Sequence, residues 1–338
     1  MAWYQVKGNE ADTVFSSRIR LARNLEGYPF GNHLSADKAR EVIAKVGEAL
    51  GSEFYSTDVE GLSQLSVQAL IEQHFISRDF AKEKGPRTLF RNDNKSISVM
   101  TPEEDHIRLQ CILPGLALRD AYRFACETDD RLDAALSLAF DERLGYLTHC
   151  PTNLGTGLRA SVMLFLPALT EQGEIASLAH QLSKIGLTMR GLYGEGSKSY
   201  GCLYQVSNQV TLGPNEEEIL HKLEEAVQSI IERERSLRAA PEGEAAERRA
   251  DRIHRAEGTA RYATLLSSEE FFHLFADLKL GVSLGMIQGL THEALHALLI
   301  GALPATLSVQ ATDLPKSGFE RDRLRAAFIK KALEVSST

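Results

Sequence analysis

The stretch Ala239 to Glu247, AAPEGEAAE, constrains this chain most, because it separates two regions of different character. Before it, from about Ser16 to Glu234, helical patterns alternate with strand-like runs such as Ser96 to Met100 and Arg108 to Leu113. That mixture is expected of an α/β or α+β domain. After it, a charged segment from Arg248 to Arg261 reads as a solvated helix, Ser267 with Glu270 makes a capping box, and Gly281 is a natural helix stop. Further helices are expected from Thr291 and near Gly318. The stretch itself reads as a linker, which divides the chain into residues 1–238 and an all-helical 239–338. With 338 residues, 43% of them hydrophobic, two cores are affordable.

The last helix before the linker is the clearest. Ile219, Leu220, Leu223, Val227, Ile230 and Ile231 fall at helical spacing behind Pro214 and Asn215, so one face should pack on a core. A formal charge of -8 argues against a general nucleic-acid binder. Cys111, Cys126, Cys150 and Cys202 form no CxxC pair, which fits reduced thiols in a cytosolic protein. Neither an apolar leader nor a membrane-length run is visible, the longest clean apolar run being Val162 to Leu169.

Three short patterns invite over-reading. Gly191 to Ser199, GLYGEGSKS, nearly spells a phosphate-binding loop, but Ser197 stands where that loop needs its lysine. Gly194 and Gly196 begin a dinucleotide pattern whose third glycine, Gly201, comes too late. His292-Glu293-Ala294-Leu295-His296 is a formal HExxH, yet Leu299 and Ala302 stand where the extended zinc motif has Gly and His. A glutamate such as Glu320 is a conceivable third ligand, but an ordinary surface or core histidine pair is the expectation, with no metal.

Four segments carry the chemistry: SSRIRLARN from Ser16, PEEDHIR from Pro102, CPTNLGTGLRAS from Cys150 and RGLYGE from Arg190. Arg18 and Arg20 alternate, so on a strand both side chains reach one face and could grip polyphosphate oxygens. Glu103, Glu104 and Asp105 concentrate negative charge beside Arg108. Cys150 opens a loop whose Gly155 and Gly157 let the backbone approach a ligand. Taken singly, each has a plainer reading: solvated charges, a polar turn, a small buried thiol.

In this order the four segments resemble the phosphagen kinases, the family of creatine and arginine kinases, over roughly Ser16 to Gly213. The resemblance implies an antiparallel sheet flanked by helices, glutamine-synthetase-like, with ATP and Mg2+ as cofactors. It implies a nucleotide site made of Ser16, Ser17, Arg18, Ile19 and Arg20; His74; Arg108; Arg159, Ala160, Ser161, Val162 and Met163; and Arg190, Gly191, Leu192, Tyr193, Gly194 and Glu195. Glu104 and Glu195 would hold the substrate guanidinium, with Cys150 as thiolate beside it. Carboxylates suit that task, because a guanidinium is protonated at ordinary pH and must be oriented and relieved of a proton before it attacks.

Creatine and arginine kinases carry a helical domain before the first motif, whereas fifteen residues precede Ser16 here. The chain therefore looks more like the bacterial protein arginine kinases, whose open site admits a polypeptide. Arg321-Asp322-Arg323-Leu324-Arg325-Ala326 resembles their RDxxRA motif, which implies an allosteric phosphoarginine pocket using Arg321, Asp322 and Arg325. Ser317 and Glu320 suggest a capped helix start beside it. The same resemblance implies protein substrates, a Clp-type protease, a heat-shock repressor, a zinc-binding activator protein and a homodimer. The competing readings are a kinase for small guanidino compounds and a silent phosphoarginine-binding adaptor.

Overall fold

The computed structural model describes residues 2–192 and 199–335. Ten strands form: β1 (Val14–Arg23), β2 (Phe54–Asp58), β3 (Thr88–Asn92), β4 (Ile97–Thr101), β5 (Ile107–Pro114), β6 (Phe140–Asp141), β7 (Gly145–Tyr146), β8 (Leu158–Phe165), β9 (Leu187–Gly191) and β10 (Leu203–Asn208). β6 and β7 make a small ribbon, and the other eight form one sheet in the order β2-β3-β4-β5-β1-β8-β10-β9. Every pairing in it is antiparallel.

Twelve helices complete the fold: α1 (Ala36–Leu50), α2 (Gln64–Glu72), α3 (Arg78–Lys82), α4 (Leu118–Ala135), α5 (Pro167–Glu171), α6 (Ile175–Lys184), α7 (Glu216–Ala239), α8 (Gly243–Tyr262), α9 (Ser268–Ser283), α10 (His292–Gly301), α11 (Pro304–Gln310) and α12 (Gly318–Val335). Among the described residues, no helix is long and apolar enough to cross a membrane.

Strand alternation sorts the core into two clusters. On one face Ile19, Leu21, Leu109, Ala160 and Val162 pack beneath α1, α4 and α7. On the other, Phe15, Leu89, Met100, Ile112 and Phe165 meet Phe271, Phe275, Leu295 and Leu299 of α9 and α10. The register shifts between Val14 and Ser16; such a bulge lets consecutive residues depart from strict alternation. Val14 thus belongs to the first cluster and Phe15 to the second, with the Phe15 ring centroid 4.0 Å from that of His296.

The helix expected from Glu216 begins there, with a capping box between Asn215 and Glu218, and all six anticipated apolar positions are buried. Two expectations are corrected. The segment read as a linker is largely helical, because α8 starts at Gly243 and its alanines and glutamates are strong helix formers. Gly281 does not stop α9, which continues to Ser283; a Cβ there would lie 2.6 Å from Ile253 Cγ2, so this glycine admits α8 closely.

The far end of α7 buries a charge pair. Glu234, 0% exposed, accepts from the backbone N–H groups of Ala168 and Leu169 at 3.0 and 2.9 Å, at the start of α5. Arg238 Nε donates to it at 2.7 Å, and Nη2 donates to the Phe165 carbonyl. Removing one member strands the other in a dry site, so Glu234→Ala should lower unfolding stability by about 3–5 kcal/mol in urea titration.

Candidate active site

The five expected cage arginines come from four strands. Arg20 lies opposite Arg159 of β8, Arg108 of β5 opposite Ala22, and Arg190 of β9 opposite Gln205 of β10. With Arg18 they line one basin of about 350 Å³, together with Glu104, Thr152 and Asn153. Few of their donors are consumed by the protein. Arg18 donates from Nη2 to Gln205 Oε1 at 2.6 Å and from Nε to Ser161 Oγ at 3.4 Å. The buried Nε groups of Arg20 and Arg159 have no hydrogen-bond partner among the described residues. Donors left open in this way fit the phosphate oxygens of a nucleotide.

Crowding has an electrostatic signature. Burial, then Arg159 and Arg108, pull Arg18 down to about 10. Arg20 is lowered by the same kinds of influence, against which the Glu103 charge pulls upward. Glu103, in turn, is held above the usual carboxylate range by burial, despite Arg108. Arg108 Nε meets Glu103 Oε2 at 2.5 Å, while its Nη2 reaches Glu104 at 3.4 Å. Glu103 is thus the buried counter-charge, also held by Ser77. Glu104, 41% exposed at the side chain, faces the open basin.

His74, in a conformation with φ of 62°, lines a small recess with Trp3, Ser16, Arg18, Ser161 and Met163. A non-glycine residue at positive φ is uncommon outside functional or turn positions. Burial, followed by the Arg18 and Arg78 charges, lowers it to about 3, which keeps the imidazole neutral. Ser17, Ile19, Ala160 and Val162 alternate away: Ser17 Oγ donates to the Gly115 carbonyl, and the other three lie in the first core cluster. Gly191 and Leu192 follow Arg190, whereas Tyr193, Gly194 and Glu195 lie outside the described residues.

Cys150 sits on a turned loop beside the basin, its Sγ 3.0 Å from Thr152 Oγ1. Thr211 Oγ1 donates to the carbonyls of Thr152 and Leu154. Gly155, at φ of 105°, is needed here, since a Cβ would lie 2.3 Å from the Thr211 carbonyl oxygen. Sequence reasoning passed over the residue that joins this loop to Glu104. Asp105, 0% exposed, accepts from Asn24 Nδ2 and from the His149 backbone N–H, each at 2.7 Å, and from Asn153 Nδ2 at 3.4 Å. Its place next to Glu104 was the available signal.

The HExxH pair meets an ammonium. Lys279 Nζ lies 3.0 Å from His296 Nε2 and 3.5 Å from His292 Nδ1, and donates to the Ala11 carbonyl at 2.6 Å. Burial lowers Lys279 to about 7 and, with the Lys279 charge, His292 to about 4. No group of three or more His, Cys, Asp or Glu among the described residues is placed to hold a metal. In the RDxxRA segment, Arg325 is 1% exposed and donates to the Ala302 and Leu266 carbonyls and to Asp322. Arg321 is exposed, and Ser317 accepts from the Glu320 N–H at the helix start.

A cation-lined basin that can align a polyphosphate against a carboxylate belongs to the class of ATP:guanido phosphotransferases. Residues 36–237 match the family described as ATP:guanido phosphotransferase, C-terminal catalytic domain, and residues 246–338 that described as Protein-arginine kinase McsB C-terminal domain. The chain is 42% identical to a protein-arginine kinase of Desulforamulus reducens, covering 99% of this chain and 96% of the relative. It is 40% identical to one of Moorella thermoacetica, covering 98% and 97%. Of solved structures, the duplicated taurocyamine kinase of Schistosoma mansoni aligns with a TM-score of 0.62 at 29% identity, over 74% of this chain and 38% of that one. A lombricine kinase aligns at 0.61 and 25%, over 70% of each. The chain belongs to the protein-arginine kinase family of ATP-dependent phosphotransferases.

Because Asp105 ties the Glu104 turn to the Cys150 loop while the cage stands on strands, Asp105→Ala should cut kcat about 100-fold and leave nucleotide affinity within a few-fold. Steady-state kinetics with ATP titration would check this, and Asp105→Asn, which keeps one acceptor oxygen, should retain more activity.

Proposed function

We propose that this enzyme transfers the γ-phosphoryl group of ATP to arginine side chains of proteins. The observation that carries this reading is the single basin in which Arg18, Arg20, Arg108, Arg159 and Arg190 converge on the same space as Glu104. The arginines orient the phosphates and offset charge on the equatorial oxygens, which is most of what phosphoryl transfer requires of a protein. Glu104 orients the incoming guanidinium and accepts its proton; Glu195 and the Cys150 thiolate complete its surroundings. Magnesium, held chiefly by the nucleotide's own oxygens, adds positive charge there. The choice of a protein substrate rests on the names of the relatives, matched over nearly their full length.

The reading extends further. Phosphorylated proteins pass to a Clp-type protease, a heat-shock repressor is inactivated, and a zinc-binding partner activates the enzyme, which works as a cytosolic homodimer. Residues 1–238 form the catalytic domain and 239–338 the dimerising, phosphoarginine-sensing one. Within the latter, exposed Arg321 meets the phosphoarginine first, since Arg325 already serves backbone carbonyls. The sequence family supports these assignments.

Incubation with ATP and an unfolded protein should yield phosphoarginine, read by mass spectrometry under acid-sparing conditions. Glu104→Gln should lower the rate by about 10²–10⁴-fold. Phosphate on free arginine alone would replace this reading by a small-guanidine kinase.

A further inference from the structure

Beside the arginine basin lies a second, open depression of about 480 Å³ that the transfer chemistry does not use. Asp79, Glu104 and Arg108 line both, so the two spaces meet where the reacting guanidinium must lie. A small guanidino compound is served by the basin alone. The additional space is of the size that holds several more groups of a ligand.

Its composition is specific. Leu34, Ala39, Pro86 and Pro102 contribute apolar floor, and the His149 ring closes one end against Gly31, where a Cβ would lie 2.6 Å from Nδ1. Its arginines are already engaged: Arg87 donates to the carbonyls of Phe80 and Gly85, and Arg108 is paired with Glu103 and Glu104. Asp79 and Glu83 remain on the wall, the former 84% exposed with only Lys82 nearby at 3.7 Å. Exposed Lys84 is the one lining cation, among the described residues, whose charge is not so engaged.

We propose that this groove seats the segment flanking the target arginine of a protein substrate, with a small or apolar neighbour on the Pro86 and Pro102 floor and a basic neighbour beside Asp79 and Glu83. The proposal rests on the protein-arginine reading and adds to it a sequence preference. Extended chain places alternate residues on opposite sides, so one neighbour can face the floor while the next faces the acidic wall.

The test uses the full chain and three probes: a peptide whose single arginine is flanked by lysine, the same peptide flanked by glutamate, and N-acetylarginine amide. Wild type should favour the lysine peptide in kcat/KM by about three- to tenfold, and Glu83→Lys should abolish or reverse that ratio. Ala36→Trp, at the exposed rim, should lower kcat/KM for both peptides about tenfold and leave the amide within about twofold. Activity on the amide also reports that each variant is folded. A peptide ratio unchanged by Glu83→Lys, or an equal fall on amide and peptides in Ala36→Trp, would overturn the groove alone. Phosphorylation of free arginine with none of either peptide would overturn the protein-arginine reading along with it.

Discussion

Mutual repulsion among arginines on neighbouring strands is the constraint on which the rest of this structure depends. Arg20 and Arg159 stand directly opposite each other, and Arg18 is shifted by both Arg159 and Arg108. Such a cluster is unfavourable unless something fixes it and something else neutralises it. The eight-stranded sheet fixes it, because each arginine is registered by ladder bonds on both sides or at an edge. Glu103 neutralises part of it from within, in a site so buried that its own ionisation is disfavoured. The remainder is left for a polyanion. A cage prepared in this way need not reorganise when phosphate charge develops, which is the source of its catalytic value.

The reacting groups on the substrate side are held differently. Glu104 and Cys150 are on loops, and loops are placed only by what they bond to. Here one buried carboxylate, Asp105, reaches both the His149 N–H and Asn153, while Thr211 holds the loop from the other side. The site therefore combines a rigid cationic floor with a rim whose geometry hangs on a few polar contacts. Substrate selection through the rim and phosphate binding through the floor are correspondingly separable.

Much of this was legible in the sequence, for identifiable reasons. Alternation of Arg18 and Arg20 is a local property of a strand, and the Glu216 helix announces its buried face by periodicity and its start by Asn215 and Glu218. What could not be read is set by tertiary partners. Gly281 looks like a terminator until Ile253 is seen against it. Arg325 looks like a solvent-facing partner of Arg321, yet it points inward to two carbonyls that arrive from other elements. Asp105 resembles one more charge in an acidic turn until Asn24, 81 residues away in sequence, donates to it.

The HExxH segment shows how the same physics decides between a metal site and a structural one. Two imidazoles one helical turn apart offer lone pairs in a converging direction. In α10 they converge on Lys279, which also reaches Ala11 just ahead of β1. A buried amine needs acceptors and tolerates its position better when its charge is weakened, and it is pulled down to about 7. Through it the helices of the second half are tied to the lead-in of the strand that carries Arg18 and Arg20. The apolar side chains around it, from Phe15 to Phe275, form one cluster across both halves. The later helices therefore cover the part of the sheet face that the arginines leave apolar. Without that cover, Phe15, Ile112 and Met163 would be exposed at the edge of the nucleotide recess, so the floor of the active site and the packing of the helical region are one physical problem.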